Sequence, residues 1–235
     1  MLFLGRLAVP DSIKALLFDM DGVVLDTLAV EVIMAPKLLR EVVHHDFTLP
    51  EDVIRANFPY DVPEFWRRVA AAVGHEATEK EVDRLTEALN EVRHTVSPPV
   101  HAGIVEIIDA ARAAGLATGL VSNNPTPDIL SMLDAAELRG CFDIVVGNDI
   151  EGLRKKPAPD PYLEGARRLG LAPELCVAIE DSLLGAEAAS TAGCYTVGVA
   201  TGACDFATLD AAKHVDVAYA GFGEQPPARM EGALA

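Results

Sequence analysis

Lys14-Ala15-Leu16-Leu17-Phe18-Asp19-Met20-Asp21-Gly22-Val23-Val24-Leu25-Asp26-Thr27 sets a short apolar run directly against two acids and a glycine. Ala15 to Phe18 has the length and composition of a strand buried on both faces, as the strands of a parallel sheet are. Open α/β sheets bind ligands beyond the carboxyl ends of their strands, so acids at that edge read as chemistry before packing. Asp19 and Asp21 alternate along the chain, and in an extended segment both can face one crevice. Such a pair can bind a hard cation, and Mg²⁺ usually takes one or two carboxylates together with substrate phosphate and water. One acid could instead attack as a nucleophile while the other handles a proton. Gly22 lets the chain turn where a side chain would obstruct a ligand. The plain alternative is a surface turn with unrelated acids. A calcium loop fits worse, because the D-x-D-x-D-G spacing is not met.

Downstream, from Leu28 to about Ser97, the sequence reads as consecutive helices. Leu28 to Leu39 is apolar with scattered charge, and Pro36 is expected to kink that helix or start a new one. Thr48-Leu-Pro-Glu51 and Thr78-Glu-Lys-Glu81 each fit a capping box. Phe65, Trp66, Val69 and Val73 recur at helical spacing, and the charge-rich run Glu79 to Arg93 reads as a solvated helix face. Ser97-Pro98-Pro99 marks a hinge. From His101 the pattern alternates: helices over Ile104 to Ala114, Pro127 to Ala136, Asp160 to Leu169 and Leu183 to Ala192 separate strands at Leu116 to Val121, Phe142 to Gly147 and Cys176 to Asp181. Tyr195 to Val199 and Val215 to Ala218 complete the strands, and the sequence after Glu224 reads as a loose tail. This order predicts an α/β fold, a Rossmann-like parallel sheet with helices on both faces, plus a small all-helical domain. The expected division is a core of residues 1–27 and 96–235 with a helical cap of residues 28–95.

Composition narrows the function. The chain has 235 residues, half of them hydrophobic, and a formal net charge of −17. That balance argues against nucleic acid, whose phosphates are held by clustered Lys and Arg. Cys141, Cys176, Cys194 and Cys204 lie far apart with no zinc spacing, which suits reduced thiols in a cytoplasmic protein. Met1 to Pro10 is apolar but lacks the features of a signal peptide, and no stretch approaches the length of a membrane helix. Neither a P-loop nor a G-x-G-x-x-G follows any strand. No membrane partner is expected, and a monomer is the default.

Four strand ends on one sheet edge then offer complementary groups: Asp19 and Asp21; Ser122 and Asn123; Lys155 and Lys156; Glu180 and Asp181. Phosphoryl transfer calls for such a set, with a nucleophile, a metal, donors for the phosphoryl oxygens and a cation to offset charge. Taken singly, a Ser-Asn loop is an ordinary helix cap and a Lys-Lys pair an ordinary surface. Their shared order and placement favour the chemical reading.

The four segments resemble the haloacid dehalogenase superfamily, in the branch with a helical cap inserted after the first motif. Asp19-Met-Asp21-Gly-Val-Val-Leu-Asp26-Thr27 resembles its D-x-D-G-x-[VIL]-x-D-[ST] signature. Leu-Val-Ser122-Asn123, Lys156-Pro157-Ala-Pro159-Asp160-Pro161-Tyr162 and Ile179-Glu180-Asp181-Ser182 resemble the other three motifs. The resemblance implies Asp19 as nucleophile, Asp21 as general acid and base, and Mg²⁺ held by Asp19, the Asp21 carbonyl and Asp181, with Glu180 a direct or indirect ligand. It also implies phosphate binding by Ser122, the Asn123 amide and Lys156, with Lys156 preferred over Lys155 because it precedes the proline. The implied activity is a phosphatase for a small phosphorylated metabolite. The sugar phosphomutases of this branch, related to beta-phosphoglucomutase, carry a histidine shortly after motif one that Ala29 to Ile33 lacks. A non-turning-over phosphoacceptor or binding module is the alternative of another class. In the cap, Phe58, Tyr60, Phe65 and Trp66 read as core or as pocket lining, Arg55, Arg67 and Arg68 as solvated faces or as reaching a second anionic group, and Lys37, Lys80 and His44-His45 as surface.

Overall fold

The computed structural model describes residues 1–43 and 47–223, so the His44-His45 pair and the tail from Glu224 lie outside the described residues. A parallel six-stranded sheet runs in the order β5 (Ile144–Val146), β4 (Ala117–Val121), β3 (Ala15–Phe18), β6 (Cys176–Glu180), β7 (Tyr195–Val199) and β8 (Val217–Tyr219). The α/β expectation holds. The central strand β3 is fully buried along its length, and its side chains divide by parity. Leu16 and Phe18 enter the apolar cluster of one face, shared with Ile104, Ile107 and Ile108 of α5 (Ile104–Ala113) and Ile129 of α6 (Thr126–Ala135). Ala15 and Leu17 enter the other, shared with Tyr162 of α7 (Asp160–Leu169) and Ala188 and Ala189 of α8 (Leu183–Ala192). Each large apolar side chain buried this way contributes roughly 1.5–3 kcal/mol. The small residues along α8 let its backbone approach the sheet closely, which matters below because α8 carries Gly185.

The helical segment builds a third apolar cluster of its own, around Leu39, Phe65, Trp66, Val69, Leu85 and Leu89. Its elements are α1 (Thr27–Val43), α2 (Glu51–Asn57), α3 (Val62–Ala72) and α4 (Glu79–Val96). Pro36 sits inside one continuous α1 and starts no new helix. The Thr78 capping box is present, with Glu81 N–H donating to Thr78 Oγ1 at 3.3 Å and Thr78 N–H donating to Glu81 Oε2 at 2.8 Å. The Thr48 box is absent: α2 begins after Pro50, which is extended (ψ 147°) and caps with no side-chain bond. Pro50 itself is the reason, since a residue preceding proline, here Leu49, is disfavoured in the helical region that the box requires.

The solvated-face expectation for Glu79 to Arg93 fails at its last residue, because Arg93 is only 6% exposed. At Ser97 the backbone turns left-handed (φ 49°) ahead of the two prolines. The outgoing and returning chains then run side by side, with Asp26 N–H donating to the Pro99 carbonyl at 2.8 Å and Leu25 bridging Val100. An antiparallel pair, β1 (Leu2–Leu4) with β2 (Leu7–Val9), covers the sheet next to α5, which the reading of Met1 to Pro10 did not anticipate. Among the described residues no helix is long and apolar enough to cross a membrane.

Candidate active site

Parallel pairing brings the ends of β4, β3 and β6 to one edge. Phe18 is level with Leu120 on one side and Ile179 on the other, so the residues that follow, Asp19, Val121 and Glu180, emerge together. Asp19 N–H donates to the Ile179 carbonyl at 3.0 Å, which extends the ladder to the acid itself. The long connection after β5 returns over this edge and delivers Lys156. Its ammonium donates to Asp19 Oδ1 at 2.6 Å, Glu180 Oε1 at 2.7 Å and the Val121 carbonyl at 2.9 Å, which uses all three of its protons. Tyr162 donates its hydroxyl to Glu180 Oε1 at 2.5 Å, and its ring lies 4.9 Å from the lysine nitrogen. Lys155 turns away and pairs with Asp61, the N-cap of α3, at 2.6 Å.

Asp19, Glu180 and Asp181 each offer a carboxylate oxygen, and the three oxygens lie within 4.8 Å of one another. Burial pushes the Asp19 carboxyl well above the usual range; Lys156 opposes the shift, while Glu180, Asp181 and Asp21 add to it. Asp181 is pushed up to about 8, by burial first and Glu180 second, with the Ala203 N–H bond at 2.6 Å pulling the other way. For Lys156 burial favours the neutral amine, yet Asp19 and Glu180 together outweigh it and hold the ammonium charged. One lysine cannot hold three buried acids ionised, and an all-oxygen donor set suits a hard divalent cation that could. Glycines make the cluster possible. A Cβ on Gly185 would fall 1.9 Å from Glu180 Oε2, one on Gly202 2.0 Å from Asp181 Oδ2, and one on Gly22 2.4 Å from that same oxygen.

Asp21 stands apart from this trio and is held separately. Thr27 Oγ1 donates to its Oδ1 at 2.7 Å and Asn124 Nδ2 to its Oδ2 at 2.5 Å, with the Arg93 guanidinium 4.0 Å away. Arg93 also forms a buried ion pair with Glu31 of α1, so the end of α4 is tied to Asp21 through charge. Ser122 is buried, and its Oγ accepts from Asn124 N–H at 3.1 Å. Asn123 uses its side chain to clasp the neighbouring loop, accepting from Lys156 N–H at 3.0 Å and donating to the Lys156 carbonyl at 3.4 Å. Asn124, Tyr162 and Arg93 were not singled out from the sequence. Tyr162 closes the third motif at fixed spacing and carried a usable signal; Asn124 and Arg93 did not.

A cavity of about 30 Å³ lies over Asp19 and Lys156, roofed by Phe58, Pro59, Tyr60 and Arg93. Phe65 and Trp66 are instead fully buried in the helical cluster. Arg67 and Arg68 are exposed partners of Glu79 and Glu64, and Arg55 reaches the Gly202 carbonyl at 3.2 Å.

Residues 13–193 match the sequence model of the haloacid dehalogenase-like hydrolases. A phosphoglycolate phosphatase of Salmonella typhi is 36% identical over 125 residues, which are 53% of this chain and 49% of that protein. The chain thus spans about half the length of the curated relatives it matches. Two solved structures share the fold. A predicted phosphoglycolate phosphatase from Haemophilus somnus superposes with TM-score 0.78 at 20% identity, over 95% of this chain and 99% of that one. The beta-phosphoglucomutase of Clostridium difficile gives 0.75 at 21%, over 94% and 96%. With a family match over most of its length and that family's four motifs gathered at one sheet edge, the chain belongs to the haloacid dehalogenase-like hydrolases.

Proposed function

We propose that this protein is a Mg²⁺-dependent phosphomonoesterase that hydrolyses a small phosphorylated metabolite through a phosphorylated Asp19, with residues 28–95 acting as its cap. The observation that carries the reading is the Lys156 ammonium bonded at once to Asp19 and Glu180 beside Asp181. Burial drives Asp19 and Asp181 toward the neutral form and Lys156 only opposes that drift, so a second cation is what an ionised trio calls for. Asp19, Glu180 and Asp181 would hold the metal, which supplies charge to offset a phosphate dianion beside a carboxylate.

In this mechanism an Asp19 carboxylate oxygen attacks phosphorus, a new P–O bond forms and the bond to the leaving oxygen breaks. Asp21 gives that oxygen its proton, then takes one from the water that cleaves the phosphoaspartate, releasing inorganic phosphate and restoring Asp19. Thr27 and Asn124 aim Asp21 at both stages. Ser122 Oγ–H and the Asn123 backbone N–H donate to phosphoryl oxygens, and Lys156 offsets the charge they carry. Transfer to water rather than to a second sugar position is favoured because no histidine stands in Ala29 to Ile33. Free cysteines throughout the described chain suit a cytoplasmic setting.

The deciding test is phosphate release from a panel of phosphorylated sugars, polyols and short acids, with Mg²⁺ and with chelator. Release that needs Mg²⁺ is the expected result; release undiminished by chelator would remove the metal from the scheme. Gly202→Ala addresses the same point without touching a donor. Its Cβ would displace the Asp181 carboxylate, and the rigid Gly22 Cα 2.9 Å away blocks the other escape. Mg²⁺ affinity should fall by about 10–100-fold, the usual cost of disturbing groups that orient metal ligands. A calorimetric titration with an unchanged dissociation constant would show that Asp181 does not hold the ion.

A further inference from the structure

A second and larger space adjoins the cavity over Asp19. It is a cleft of about 180 Å³ between the helical segment and the sheet domain, and the two spaces share Asn123 and Asn124 in their linings. We propose that this cleft, lined by Thr86, Asn90, Asp128, Asn148 and Lys155, receives the part of the substrate beyond the phosphate, and that this part is uncharged and hydroxyl-bearing, with no second anionic group. The inference rests on the phosphatase reading above and narrows its substrate class.

Charge is the first argument. The cations lining the two spaces are Lys155, Lys156 and Arg93, and each is already engaged, by Asp61, by Asp19 and Glu180, and by Glu31. The acids of the cleft are Asp61 and Asp128, the second facing His94 at 3.8 Å and sharing the field of Arg93. A carboxylate or second phosphate placed there would leave water to face like charge with no free cation, a juxtaposition that disfavours binding. Unused polar groups are the second argument. The Thr86 hydroxyl has no hydrogen-bond partner within the described structure and is closed to solvent, so a ligand meets it only through a turn of its side chain toward the cleft. Asn90 lies one turn further along α4, on the same face, and its side chain makes no hydrogen bond within the described structure. A hydroxyl and an amide together offer both donors and acceptors, the complement of a polyol rather than of an anion.

The test uses size-matched pairs on the Mg²⁺-loaded enzyme: 2-hydroxyethyl phosphate against phosphoglycolate, and glycerol 3-phosphate against 3-phosphoglycerate. The neutral member should have the higher kcat/KM by about 10-fold or more, and Asn90→Lys, which adds a cation to the cleft, should move that ratio toward the acid. The same pairs are titrated calorimetrically into the Asp19→Asn protein, so that a preference in binding is read even if nothing is hydrolysed. Absent turnover with a retained neutral preference would sink the phosphatase reading and leave the assignment of the cleft standing. Equal or tighter handling of the acids, or binding of neither member of a pair, would overturn the assignment.

Discussion

Asp19→Asn abolishes turnover while leaving a folded and somewhat more heat-stable protein. The amide cannot form the acyl phosphate, so the loss should be on the order of 10⁶-fold, the scale seen when a covalent hydrolase loses its nucleophile. The stability gain follows from the raised carboxyl pKa. Burial, with Lys156 only partly opposing it, lifts Asp19 above its unfolded value. A raised acid favours its protonated form in the folded state, so its contribution falls as pH climbs from the unfolded pKa through the folded one. At neutral pH, without added metal, the native protein carries that cost and the asparagine variant does not. Lys156 keeps two acceptors in the variant, Glu180 and the Val121 carbonyl. Thermal melts in chelator at pH 7 should therefore place the variant a few degrees higher, with the gap closing in acid. Retained turnover above trace would remove Asp19 from the nucleophile's role, and a collapsed melt would mean that the carboxylate holds the fold together.

The sheet was legible because buried parallel strands must be short, apolar and bounded. Tyr195–Val199 falls where it was expected, and Cys176–Glu180 within one residue. The β1 and β2 pair was not legible. Three-residue strands joined through Gly5, at φ 62°, are too short for any period to show, and their burial depends on α5, some hundred positions away. Helix starts were legible where side chain and backbone agreed, as at Thr78, and illegible at Thr48, where a following proline overruled the pattern.

At the candidate site, Asp19, Ser122, Lys156, Glu180 and Asp181 were legible as candidates because each follows a strand end or stands in a fixed spacing. What could not be read was what surrounds them. Arg93 lies in a charged run like any solvated helix face, and only the three-dimensional closure of α4 against α1 buries it against Glu31. Gly202 sits in an ordinary loop, and its importance appears only when Asp181 is found where its Cβ would be. Asn124 follows a residue that was itself the candidate, and a one-residue step decides which amide reaches Asp21 and which clasps the lysine loop.

Lys156→Met should be the most destabilising single change at the site as well as an inactivating one. The side chain is 5% exposed, and its ammonium is the one donor shared by Asp19, Glu180 and Val121. Methionine fills a similar volume, so packing loss is minor and the effect isolates the charge. Removing one partner of a buried ionic group leaves the other uncompensated, at about 3–5 kcal/mol. For a chain of this size that lowers the melting temperature by roughly 6–20 °C. Tyr162 moderates the loss by keeping its bond to Glu180, so one acid retains a donor while Asp19 loses the ammonium that pairs with it. Besides protonation, toward which burial already pushes Asp19 and Asp181, the remaining negative charge has one other remedy. A divalent cation bound by the folded state alone stabilises it by mass action, so Mg²⁺ should raise the melting temperature of the methionine variant more than that of the native protein. Melts of both proteins in chelator and in saturating Mg²⁺ decide the matter. Equal shifts would mean that the acids do not converge on one ion, and an undiminished melting temperature in chelator would mean that they are held neutral and that Lys156 is not what keeps them charged.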